Sequence, residues 1–125
     1  MSLWRSSIAL LAGMVAACSG GNDAAGPPSQ QWGTANIAVQ VRPVPPRAGM
    51  NEFLFIGTES GGKPVWNMMV MLRTDADEGW RQAIQDGESG VYRKALPLEP
   101  GQQALHVMLR RGAEETVLEF PLSVE

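Results

Sequence analysis

Along much of the chain apolar and polar residues alternate with a period of two, the mark of strands buried on one face. Ile37, Val39 and Val41 alternate with Ala38, Gln40 and Arg42. Leu105, Val107 and Leu109 alternate with Ala104, His106, Met108 and Arg110, and Leu118, Phe120, Leu122 and Val124 continue the pattern between Thr116 and Val124. Phe53-Leu54-Phe55-Ile56 is apolar on both faces and predicts a central strand from Asn51 to Gly57. A third strand is expected from Val65 to Arg73, with Trp66, Met68, Val70 and Leu72 inward and Asn67, Met69, Met71 and Arg73 outward. Val91 to Leu96 forms another, while Trp80 to Gln85 fits either a strand or a helical turn. Prolines 43, 45 and 46, Ser60-Gly61-Gly62, Asp86 to Gly90, Pro100-Gly101 and Gly112 punctuate these runs as turns.

About seven short strands, a turn roughly every ten residues and no long amphipathic helix predict an all-β chain. The expected architecture is an immunoglobulin-like antiparallel β-sandwich, in which the third and sixth strands are neighbours in one sheet. The single cysteine, Cys18, rules out the inter-sheet disulfide of antibody domains.

Residues 1–17 do not fit the sandwich. Arg5 precedes the apolar run Ile8 to Ala17, which has export-signal length and falls well short of the ~20 residues a membrane-spanning helix needs. Val15-Ala16-Ala17-Cys18 resembles the bacterial lipobox. That resemblance implies cleavage before Cys18, a diacylglycerol on its thiol and an acyl chain on the freed amine. Two or more chains give stable membrane attachment where one does not. Ser19 stands where Asp would resemble an inner-membrane retention signal, so the expected location is the periplasm-facing outer membrane. Residues 18–34, rich in Ser, Gly, Asn, Pro and Gln, are expected to be a flexible tether, and residues 35–125 the sandwich domain. A net charge of −3 argues against nucleic acid as a partner.

Gly49-Met50-Asn51-Glu52-Phe53, Gly62-Lys63-Pro64-Val65, Gly90-Val91-Tyr92 and Pro100-Gly101 before Leu105-His106-Val107 resemble the YtkA-like/FixH-like domains. The resemblance spans about Ala35 to Val124 and implies a small exported sandwich, often lipid- or membrane-tethered. Several such domains act near copper handling or cytochrome oxidase assembly. Dense His/Met runs at the ends, found in copper-binding relatives, are missing here.

No catalytic set stands out. His106 is the only histidine and sits mid-strand, and Cys18 is consumed by lipid, so no enzyme and no cofactor is expected. One constellation bears on binding. Met69 and Met71, outward on the third strand, meet His106 and Met108, outward on the sixth. Thioether and imidazole donors suit Cu(I); methionines equally serve as adaptable packing or as an apolar patch for an envelope protein partner. The acidic stretch Asp75, Asp77 and Glu78 lacks the spacing of a dedicated calcium loop. The expectation is a lipid-anchored, non-catalytic binding or scaffolding module, with a periplasmic Cu(I)-binding accessory as the alternative.

Overall fold

The computed structural model describes residues 26–75 and 77–125. The expected signal segment, Cys18 and the first part of the expected tether lie outside the described residues. Nine strands are present among the described residues: β1 (Gln30–Trp32), β2 (Ala35–Arg42), β3 (Gly49–Glu59), β4 (Met69–Thr74), β5 (Asp77–Gln82), β6 (Ile84–Gln85), β7 (Val91–Leu98), β8 (Gly101–Arg111) and β9 (Glu114–Val124). They form two antiparallel sheets, ordered β1-β2-β3-β7-β6 and β5-β4-β8-β9. With β1 set aside, these are the A-B-E-D and C′-C-F-G orders of an immunoglobulin-like sandwich.

The alternating residues meet between the sheets. Ile37, Val39, Val41, Phe53, Phe55, Tyr92 and Leu96 face Val70, Leu72, Leu105, Val107, Leu109, Phe120 and Leu122, all nearly inaccessible. Each such large side chain contributes ~1.5–3 kcal/mol on burial. The third and sixth predicted strands, β4 and β8, do pair side by side.

Three segments depart from, or go beyond, what the sequence predicts. The third strand begins at Met69, not Val65, because residues 65–68 find their hydrogen bonds elsewhere. Val65 N–H donates to Gly57 O (2.9 Å), Tyr92 Oη–H to Val65 O (2.9 Å), and Met68 N–H to Tyr92 Oη (3.2 Å). Val65 is buried in consequence, and Trp66, expected inward, is 51% exposed. The Trp80–Gln85 stretch supplies parts of two strands: β5 ends at Gln82 in one sheet and β6 begins at Ile84 in the other. Buried Ala83 makes the crossing, its N–H donating to Val70 O (2.8 Å). Finally, order begins inside the expected tether, where β1 pairs with Ala35–Ile37 of β2.

The sandwich has two distinct ends. At one, the chain arrives from residue 25: Gly26 lies so close to Val39 O that a Cβ there would sit 2.5 Å away. Nearby, the 43–48 loop pairs with the C-terminal residue through Ala48 N–H to Glu125 O and Glu125 N–H to Pro46 O. The other end carries the turns at Gly33, Gly62 and Gly112, all with positive φ.

Candidate functional site

The outer face of the four-stranded sheet carries the sequence candidates. Side chains on it follow from strict alternation: because Val70 and Leu72 are buried, Met69, Met71 and Arg73 point out, and the same logic turns His106, Met108 and Arg110 outward on β8. The register places Met71 directly opposite Met108, Met69 opposite Arg110, and Arg73 opposite His106. On β9, Glu115, Val117 and Glu119 stand opposite Arg110, Met108 and His106. Met69, Met71, Met108 and Val117 therefore form one apolar strip, with Val117 52% exposed.

Charged groups bound the strip at both ends. At one, Arg110 pairs with Glu115 (2.8 Å). At the other, His106 stands between two carboxylates, with Nε2 3.2 Å from Asp75 Oδ1 and Nδ1 3.3 Å from Glu119 Oε1. Asp75 also accepts from Ala104 N–H (3.0 Å). That backbone bond first, and the His106 bond second, hold its carboxyl below the ordinary 3.8. Beside it, the Arg73 guanidinium lies 5.1 Å from the centre of the Trp80 ring, a cation–π contact.

The four proposed copper ligands share this face without sharing one point. Met69 and His106 are four ladder positions apart, about 13 Å along the strands, so one ion reaches Met71 and Met108 with one of the outer two. Both His106 nitrogens already face carboxylates. Among the described residues no group of three or more His, Cys, Asp or Glu is placed to hold a metal. His106 does stand beside carboxylates, but on an open strand face. The acidic stretch 75–78 is not one loop, since β5 starts at Asp77.

No protein-family model matches the chain, and no curated protein matches it. The reading of this face therefore stands on its geometry. What sequence reasoning missed were Asp75 and Glu119, which reach His106 from a turn and from another strand. A lone outward histidine gives no signal of such partners; only the pairing register does.

Proposed function

We propose that the chain is a lipid-anchored, non-catalytic binding module of the cell envelope that docks a protein partner on the outer face of the β5-β4-β8-β9 sheet. The observation that carries this reading is the Met69–Met71–Met108–Val117 strip, closed at one end by the Arg110–Glu115 ion pair and at the other by His106 between Asp75 and Glu119. An apolar centre within a polar rim is the layout of protein contact surfaces, and methionine suits them because its unbranched side chain adapts to the partner's shape. The lipobox-like residues ahead of Cys18 and the resemblance to YtkA-like/FixH-like domains support the envelope setting.

The test is photo-crosslinking in intact envelopes from a probe replacing Val117, compared with one replacing Val91 on the other sheet. A discrete adduct from Val117 alone, lost when Met108→Glu is added, is the expected result. Identical products from both probes would remove the docking face.

A second reading has its own observation, the direct opposition of Met71 and Met108, two soft donors suited to Cu(I). Titrating the full chain with Cu(I) while following methionine methyl resonances separates the two. Saturation at one equivalent on Met71 and Met108 favours the copper accessory; flat shifts leave the protein-docking reading alone.

A further inference from the structure

The end of the sandwich opposite Gly26 holds a cleft of about 600 Å³, lined by Trp32, Thr34, Asn67, Arg111 and Glu114. Its size falls in the ~300–1,000 Å³ range of small-ligand sites. The floor is a connected polar chain. Thr34 Oγ1–H donates to Glu59 Oε2 (2.9 Å), Arg111 Nη1–H donates to Glu59 Oε1, and Arg111 Nε–H donates to Asn67 Oδ1 (3.0 Å). The Arg111 guanidinium first, and the Thr34 hydroxyl second, hold the Glu59 carboxyl below its ordinary range.

This network orients the donors that remain. Asn67 spends its carbonyl on Arg111, which leaves the two N–H groups of Nδ2 without a protein partner among the described residues, and Arg111 Nη2 likewise. Both groups face solvent, where a carbonyl or an anion of a ligand can accept from them in place of water. Charge decides between them: Glu59 neutralises Arg111 and Glu114 adds a negative wall, so an anion is disfavoured and a neutral carbonyl fits.

One wall is aromatic: Trp32 lines the cleft and is partly buried against the core, which fixes its ring. A fixed aromatic face beside a few polar groups suits an amphipathic ring. Gly33, Gly112 and Ala113 complete the lining, and residues this small offer little to grip the side chains of a peptide.

We propose that this end cleft binds an acetamido sugar of a glycan strand, with the sugar ring against Trp32 and its acetamido carbonyl accepting from Asn67 Nδ2 and Arg111. The site is separate from the methionine face and does not depend on it. If Cys18 is acylated, the cleft opens away from the bilayer, because the chain enters the sandwich at the other end.

The experiment is saturation-transfer NMR on the full chain in detergent micelles, with chitotriose as probe and cellotriose and acetyl-trialanine amide as comparators. Saturable transfer to the acetamido methyl and ring protons of chitotriose is expected, with little to either comparator. Asn67→Ala, at an exposed position that tolerates truncation, should weaken binding about 5-fold or more, the loss of one net hydrogen bond. Met71→Ala should leave it unchanged. Absence of saturable transfer, equal transfer to cellotriose or the tripeptide, or an Asn67→Ala variant that binds like the parent would each overturn the assignment.

Discussion

Tyr92 shows how much one hydroxyl can organise. Its Oη joins β7 to both ends of the 65–68 segment, donating to Val65 O and accepting from Met68 N, and burial pushes its pKa up. Tyr92→Phe keeps the ring and strands a buried carbonyl and amide, at a cost of ~1–3 kcal/mol; urea unfolding should show a lower midpoint at unchanged slope. Gly90 is equally constrained, for a steric reason. Its φ is +78°, and a Cβ there would lie 2.7 Å from Gly57 O and 2.9 Å from Pro64 Cβ. Gly90→Ala is expected to cost ~1–3 kcal/mol through backbone strain and clash, and wild-type stability in the same assay would refute that. Asp75 sets a pH dependence. Its carboxyl is held below the ordinary value in the folded chain, so its contribution is complete above the ordinary carboxylate range and is lost as pH falls through the folded value. Thermal melts from pH 5 down to pH 2.5, roughly spanning that range, should fall less steeply for Asp75→Asn than for the parent. Half-exposed as it is, the contribution is small.

At the scale of elements, what was legible and what was not divides by where each segment finds its hydrogen bonds. β2, β8 and β9 announce themselves by alternation because one face of each is buried along its length. The outward set of β4 was readable for the same reason. Residues 65–68 look like more of that strand, but β3 and Tyr92, both remote in sequence, take their polar groups. β1 was hidden because three residues of Gln-Gln-Trp carry no period, and β6, at two residues, is too short to show one. The 43–48 loop illustrates a further limit. It reads as a proline-rich spacer, yet Asn51, 2% exposed, accepts from Arg47 N–H (3.2 Å) and donates to Arg47 O (2.7 Å) and Gly49 O (2.9 Å). Asn51→Ala removes that brace and leaves Arg47 and Gly49 polar groups unpaired, a loss of ~1–3 kcal/mol. Limited trypsin digestion should then cut faster after Arg47 while other sites keep their rates.

For the whole molecule, the two ends of the sandwich have different prospects. The segment from Cys18 to Gly26 reaches at most about 29 Å when fully extended, so an acylated Cys18 would tether the protein through the end that carries the 43–48 loop, opposite the Trp32 cleft. Cys18→Ser should move the protein from the membrane fraction to the soluble fraction; retention in the membrane would remove the anchor. The methionine face lies along the flank between those ends, where, with Cys18 acylated, a neighbour in the plane of the membrane would reach it. None of this arrangement was available from residue patterns, because it depends on which end of the fold receives the chain.

β1 has one more consequence, and it concerns self-association. A bare strand edge is a template for another chain, and three residues guard two of them here. Gln30–Trp32 occupies the outer side of β2 at Ala35–Ile37, and the Gln30 side chain reaches across to the backbone oxygen of Glu119 (2.5 Å) on eleven-residue β9, itself an outer strand. Deleting residues 30–32 would uncover the first edge and free the second at that point; it takes Trp32 from the margin of the core but none of the fully buried residues. The shortened protein should remain folded by circular dichroism yet form dimers and larger species as its concentration rises in light scattering. A segment that reads as mere linker thus decides whether the domain keeps to itself.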